Sequence, residues 1–227
     1  MSVSASLALD HIFVVGRLPR PDWSIRVPDM DDVVARCQAG DRAAFRELFV
    51  QHRADVVRLV HRLIGPSHGD VDDVVQEVFF QVYRSIHSFR GRSRFSTWLY
   101  RLAVNVVLMH RRAARSRPQL TSSVNDESPS DPAPAPDELV ARRARIEAFE
   151  RLIDQLSDKK RTVYILHELE GLSPADVARI VGAPVLTVRT RLFYARRELE
   201  RRIADDPELA GLVRAPASDA ESRREEP

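Results

Sequence analysis

Apolar residues recur along much of this 227-residue chain at the three- and four-residue intervals that place side chains on one face of an α-helix. The longest such stretch follows a candidate N-cap at Asp41 and ends at Gly65. A second stretch, whose apolar positions are mostly valine, begins near Asp70, and a third begins at Ser96 or the residue after it. No convincing β-strand alternation occurs, so residues 30–117 are predicted to form a helical bundle.

The same spacing returns in residues 139–204 and ends in a pair of helices joined by a tight turn. Ser173 is a candidate N-cap, followed by a proline at the first helical position and by the carboxylate of Asp176. This short helix is predicted to end at Gly182, and the next to begin near Thr187. Two helices connected in this way, the second basic and amphipathic, indicate a helix-turn-helix. The fold class is therefore predicted to be all-α, with two small helical domains.

A stretch of different composition separates the two domains. Residues 121–138 contain four prolines and five acidic residues but no basic one, so a flexible linker is predicted over residues 118–138. It acts either as a spacer or as an acidic shield for a basic surface. Residues 1–29 are predicted to be an N-terminal extension, which is either disordered or upstream of a true start at Met30. Residues 205–227 are polar and are predicted to be a mobile tail.

Positive charge is concentrated in one part of the chain. The formal net charge is only +2, yet nine arginines and no acidic residue occur between Arg84 and Arg117. The same segment includes the aromatic residues Phe89, Phe95 and Trp98. Guanidinium groups among aromatic rings suit a surface that binds a phosphate backbone and stacks on unpaired bases. The partner is therefore predicted to be nucleic acid.

Several other classes of protein are not favoured. The single cysteine, Cys37, excludes an intrachain disulfide and favours a reducing, cytoplasmic compartment; it is predicted to be a small core residue rather than a redox sensor. No apolar run approaches the length of a membrane span, and no signal peptide is recognisable. The seven histidines show no metal-ligand spacing, and neither a phosphate-binding glycine loop nor a nucleophile motif occurs. No metal, no cofactor and no enzymatic activity are predicted.

The motifs and their order resemble those of the extracytoplasmic-function (ECF) sigma factors of bacterial RNA polymerase. The matching stretches are residues 40–45, 72–79, 89–105, 168–173 and 187–192. The resemblance spans residues 30–204 and implies that the first domain is sigma region 2 and the second is region 4. The linker stands where primary sigma factors carry a separate large module. The implied function is to bind core RNA polymerase, to recognise the minus-thirty-five and minus-ten promoter elements, and to help melt the latter.

The resemblance also implies the partners. They are promoter DNA, core polymerase through its β′ coiled coil and its β subunit, and an anti-sigma factor that covers these binding faces. A stand-alone helix-turn-helix regulator is the main alternative, but it leaves the block from Phe89 to Asn105 unexplained. A sigma-like adaptor that holds polymerase without melting DNA is a third possibility.

By resemblance, the loop that begins at Phe89 and the helix after it read the minus-ten element. The minus-ten residues are predicted to be Phe89, Arg90, Arg92, Arg94, Phe95, Trp98, Arg101, Asn105, Arg112 and Arg115. Asn105 is given the role of contacting a flipped base, and its amide can both donate and accept hydrogen bonds. Trp98 is followed by Leu99, where primary sigma factors carry tandem tryptophans. Weaker melting is therefore expected, and Leu99→Trp is expected to relax promoter stringency.

Two further sets of residues complete the predicted sites, and each has a solvated helix face as its alternative. Minus-thirty-five contacts are assigned to the second helix of the helix-turn-helix, at Thr187, Arg189, Thr190, Phe193, Tyr194 and Arg197. Polymerase binding is assigned to the side of the second bundle helix opposite its valines, at Asp73, Gln76, Glu77, Phe80 and Tyr83. Arginine is common in relatives at the position of Tyr194, so the preferred minus-thirty-five sequence is expected to depart from the commonest one.

Overall fold

The computed structural model describes residues 30–65, 71–116 and 137–206, together with Leu209. Within these residues all regular structure is helical, which confirms the predicted all-α class. The first domain contains α1 (Met30–Gln38), α2 (Arg42–Ile64), α3 (Val71–Ser85), a 3₁₀ turn (Ile86–Ser88) and α4 (Phe95–Ser116). The second domain contains α5 (Asp137–Asp154), α6 (Asp158–Tyr164), a π-helical segment (Ile165–Leu169), α7 (Pro174–Val181) and α8 (Val185–Asp205). The predicted N-terminal extension, nearly all of the predicted linker and most of the predicted tail lie outside the described residues.

The first domain is a bundle in which α1, α3 and α4 pack on the long helix α2. Asp41 caps α2 as predicted, because its Oδ1 accepts hydrogen bonds from the backbone N–H of Ala43 at 2.7 Å and of Ala44 at 3.3 Å. Gly65 follows the last turn with φ 76°, a left-handed conformation that favours glycine. The predicted valine stripe of α3 is buried where α3 meets α2 and α4. The hydrophobic pattern of the sequence therefore lies on the core side of the helices.

The helices α7 and α8 form the predicted helix-turn-helix. Ser173 caps α7, and its Oγ accepts a hydrogen bond of 3.1 Å from a backbone N–H of the first turn. Gly182 has φ 64° and lets the chain turn sharply after α7. The next helix begins at Val185, two residues before the predicted start. Pro184 occupies the cap position, and its carbonyl accepts a hydrogen bond from Val188 N at 3.1 Å.

Three other boundaries differ from the sequence prediction. Helix α4 begins at Phe95, one residue early, and this residue is buried in the core. Helix α5 begins at Asp137, inside the predicted linker. Leu209 belongs to the predicted mobile tail but is fully buried, so that prediction is wrong for this residue. Phe95 and Leu209 are buried in the core, and α5 includes the last two residues of the predicted linker.

The two domains are in direct contact, and buried ion pairs join them. Glu170 follows the π-helical segment and is completely buried. Its Oε1 lies 2.7 Å from Arg62 Nη1, and its Oε2 lies 3.4 Å from Arg58 Nη2. Both arginines belong to α2 of the first domain. A carboxylate removed from water in this way is stabilised only while its cationic partners stay in place.

A second group of ion pairs joins α4 to the second domain. Arg111 is 2% exposed; its Nη1 lies 2.8 Å from Asp154 Oδ1, and its Nε lies 3.1 Å from Asp158 Oδ1. Arg161 of the second domain also pairs with Asp154, and its Nη2 donates to the backbone carbonyl of Arg62 at 3.0 Å. One carboxylate thus lies between guanidinium groups from both domains. We call the two groups together the interdomain ion-pair network.

Candidate nucleic-acid interface

Three aromatic rings form a cluster where the loop after the 3₁₀ turn meets α4. The rings of Phe89, Phe95 and Trp98 lie with each pair of centroids 5.5 Å apart, in tilted or edge-to-face arrangements. Phe95 is only 5% exposed and also packs against the ring of His52 on α2. Its predicted place on the DNA-binding surface is therefore corrected: Phe95 is a core residue that supports the two half-buried rings beside it.

Gln38, at the end of α1, anchors the start of the same loop. Its Nε2 donates hydrogen bonds to the backbone carbonyls of Ile86 at 3.0 Å and Phe89 at 2.8 Å. No local sequence signal marks this residue, because it lies about fifty positions before the loop and belongs to no motif. Gln38 positions the backbone from which the aromatic and arginine side chains project.

Leu99 and Trp98 have opposite environments although they are adjacent in sequence. Leu99 is completely buried, whereas Trp98 is partly exposed, because successive residues of an α-helix point about 100° apart. A tryptophan in place of Leu99 would overpack the core rather than extend the exposed aromatic surface. The expectation that Leu99→Trp relaxes promoter stringency is therefore not supported by this geometry.

Most of the predicted minus-ten residues lie on the surface. The exposed members are Arg90, Arg92, Arg94, Arg101, Asn105, Arg112 and Arg115. Arg115 also belongs to the interdomain contact, because its Nη2 lies 2.5 Å from Asp158 Oδ1. Met109, which is 64% exposed, lies one turn after Asn105 and was not predicted. The surface of α4 therefore combines arginines, one amide and one apolar side chain beside the aromatic cluster.

Helix α8 separates its core residues from its exposed residues as predicted. Val188, Leu192, Ala195 and Leu199 are buried, whereas Arg189, Thr190, Phe193, Tyr194 and Arg197 are exposed. Thr187 is half-buried. The rings of Phe193 and Tyr194 lie 5.4 Å apart, and the guanidinium of Arg197 lies 5.8 Å from the centre of the Phe193 ring. These side chains form a mixed basic and aromatic face on an α-helix, an element that a DNA major groove admits.

The predicted polymerase-binding residues share the exposed side of α3. Asp73, Gln76, Glu77, Phe80 and Tyr83 are all exposed. Phe80 is 53% exposed and Tyr83 is 54% exposed, so this helix leaves two large aromatic side chains outside the core. Tyr83 makes an edge-to-face contact with Phe45 of α2, with ring centroids 5.2 Å apart. This acidic face with two aromatic rings lies on a different helix from the arginine-rich surface.

The structure also bears on Cys37 and on membrane insertion. Cys37 is buried, and its burial raises the pKa of the thiol above its usual value, in keeping with the predicted core role. None of the described helices is both long enough and apolar enough to cross a lipid bilayer.

Comparison with known proteins matches one family model to each of the two domains. The family model of sigma-70 region 2 matches residues 48–117, and that of sigma-70 region 4 matches residues 146–199. The ECF RNA polymerase sigma-E factor of Escherichia coli strain K12 is 39% identical over 178 residues, which cover 75% of this chain and 92% of that protein. The ECF RNA polymerase sigma-E factor of Haemophilus influenzae is 37% identical over 179 residues, which cover 75% and 93%.

Solved structures show the same fold. CnrH, in complex with the cytosolic domain of CnrY, has a TM-score of 0.54 at 25% sequence identity and covers 77% of this chain and 96% of its own. The sigma factor RpoE of Bartonella quintana, in complex with the anti-sigma factor NepR, has a TM-score of 0.53 at 18% identity. It covers 71% of this chain and 98% of its own. The likeness to RpoE concerns the fold alone.

Proposed function

This chain belongs to the ECF sigma factors, which direct bacterial RNA polymerase to promoters, and we propose that its two exposed basic surfaces divide promoter recognition between them. Residues 30–117, as region 2, recognise and melt the minus-ten element. Residues 139–204, as region 4, bind the minus-thirty-five element in the major groove. The observation that carries this proposal is the aromatic cluster beside the exposed arginines and Asn105 of α4.

The energetics of melting explain why such a surface is needed. Opening the duplex costs about 1.4 kcal/mol of stacking per base-pair step. Stacking of an unpaired base on an aromatic ring returns about 1–3 kcal/mol, and arginines hold the phosphates of the separated strand. Phe89 and Trp98 supply the rings, and Asn105 supplies an amide that discriminates one base edge. Region 2 thus captures the open strand rather than forcing the duplex apart.

The partners follow from the family and from the remaining surfaces. We assign the acidic and aromatic face of α3 to the β′ coiled coil of core polymerase, since a carboxylate-rich face repels DNA and suits a protein. The β subunit and an anti-sigma factor are the other proposed protein partners; the similar sigma factor RpoE forms a complex with the anti-sigma factor NepR. Catalysis belongs to the polymerase, and the proposed site of action is the cytoplasm.

Run-off transcription with purified core polymerase tests the proposed function. We expect this protein to direct new start sites on fragmented genomic DNA, each preceded by two spaced upstream elements. A stand-alone regulator binds duplex DNA but leaves the start sites of core polymerase unchanged. An inactive adaptor binds polymerase without forming an open complex, which permanganate footprinting of unpaired thymines detects.

Asn105→Ala is expected to weaken open-complex formation about 10- to 100-fold at the preferred minus-ten sequence, because a good amide-to-base contact contributes about 1–3 kcal/mol. The loss is expected to concern one base position, so promoters already mutated there lose nothing further. Arg101→Gln is the matched control on the same exposed side of α4; it is expected to weaken all sequences about equally. A uniform loss in Asn105→Ala would contradict a base-reading role.

Tyr194→Arg is expected to change the preferred minus-thirty-five sequence toward one with an added guanine. Tyr194 is 54% exposed on α8 but lacks the paired donors with which arginine contacts guanine O6 and N7. Selection from a randomised minus-thirty-five element checks this, with the wild-type protein and the variant selected in parallel. Identical selected sequences would show that position 194 does not read a base.

A further inference from the structure

The first turn of α8 leaves apolar side chains outside the core. Leu186 is 74% exposed and Val185 is 37% exposed, whereas Val188, in the same turn, is completely buried. Leu186 lies within α8, because this helix begins at Val185, after Pro184, and not near Thr187. It was consequently not among the predicted minus-thirty-five residues. A leucine this exposed contributes little to the stability of the domain.

Leu186 lies on the same stripe as the predicted DNA-reading residues. From Leu186, steps of three and four residues lead to Arg189, Thr190, Phe193 and Arg197, all of which are exposed. Thr190 Oγ1 donates a hydrogen bond to the carbonyl of Leu186 at 3.0 Å, which joins these two residues one turn apart. No acidic residue occurs on this stripe, so its charge favours a polyanion over an acidic protein surface.

We propose that Leu186 is a specificity-determining residue that contacts the C5-methyl group of a thymine in the minus-thirty-five element. This proposal rests on the proposed role of region 4. The N-terminal residues of a recognition helix are those that approach base edges. The thymine methyl is the apolar group that base edges present in the major groove. Contact between the two groups removes both from water, and the favourable free energy of this burial is absent when any other base takes the place of thymine.

The test replaces thymine by uracil, which differs only in lacking the methyl group. The minus-thirty-five element is first selected with the full chain and core polymerase. Each thymine of the selected duplex, on either strand, is then replaced singly by uracil, and binding is measured for the wild-type protein and for Leu186→Ala. We expect one replacement to weaken wild-type binding about fourfold, the effect of one buried carbon group. The same replacement is expected to have no effect on Leu186→Ala.

Val185→Ala is the matched control, because Val185 is a neighbouring exposed apolar residue that lies about 100° from Leu186 around the helix axis. It is expected to keep the full sensitivity to uracil. The inference is overturned if Leu186→Ala stays as sensitive to uracil as the wild-type protein, if no replacement affects the wild-type protein, or if the selected element contains no thymine. Failure of the proposed function looks different: no minus-thirty-five element is then selected at all, and Arg189→Ala does not alter binding.

Discussion

Phe95→Ala is expected to lower the free energy of unfolding of this protein by about 3–5 kcal/mol, the range found when a buried phenylalanine is truncated. Phe95 is 5% exposed, and its ring contacts Phe89, Trp98 and His52. Truncation leaves a cavity under the half-buried rings and removes the support of the loop before α4. Chemical denaturation followed by the circular dichroism of the helices measures the loss.

Phe95→Leu separates this supporting role from direct contact with DNA. Leucine keeps most of the buried volume but removes the aromatic face, so we expect a smaller loss of stability and nearly normal melting of the minus-ten element. If Phe95→Leu folds as stably as the wild-type protein yet fails to capture single-stranded minus-ten DNA, the aromatic ring itself contacts the base, and the core assignment of Phe95 is wrong.

Gly65→Ala is expected to separate the two domains. Gly65 has φ 76°, and a Cβ atom there would lie 2.5 Å from Arg161 Nη2 and 2.8 Å from Asp154 Oδ1. Both atoms belong to the interdomain ion-pair network, so the new methyl group displaces a guanidinium and its carboxylate partner. With ψ 169° at this φ the backbone lies in a region nearly confined to glycine, so strain of about 1–3 kcal/mol adds to a packing cost of about 1–3 kcal/mol. Small-angle X-ray scattering is expected to show a larger radius of gyration.

Gly40→Ala is the matched control for the backbone strain. Gly40 has φ 89°, and a Cβ atom there meets nothing within 4 Å. Gly40→Ala is therefore expected to lose stability through backbone strain alone and to keep the wild-type radius of gyration. Equal effects of the two substitutions on both stability and size would show that the contact between the domains does not depend on the space at Gly65.

The sequence predicted those features that depend on neighbours within one helical turn. Asp41 and Ser173 cap their helices as expected, because a cap needs only the residues that follow it. Gly182 ends α7 for an equally local reason. The buried valines of α3 follow directly from helical periodicity. Local signals of this kind were sufficient for the fold class and for the helix-turn-helix.

Features that depend on distant parts of the chain could not be predicted in the same way. Arg111 and Arg112 are adjacent arginines in a basic segment, yet Arg111 is buried against the second domain and Arg112 is exposed. The partners of Arg111 are more than forty residues away in sequence. The same is true of Gln38 and the loop that it anchors. Residue type indicated the chemistry of the site, but only the packing decided which residues are available to DNA.

The ion pair between Arg115 and Asp158 has a consequence for how promoter binding responds to ionic strength. An arginine that neutralises a phosphate releases a condensed cation from the DNA, and this release makes affinity fall with added salt. In the proposed complex Arg115 exchanges its pair with Asp158, which keeps its contact with Arg111 at 3.1 Å, for a pair with a phosphate. Added salt screens the ion pair that is lost as well as the one that is gained, so this contact adds less salt sensitivity than one made by an arginine without a carboxylate partner. The number of arginines on this surface therefore overestimates how strongly promoter affinity depends on salt concentration.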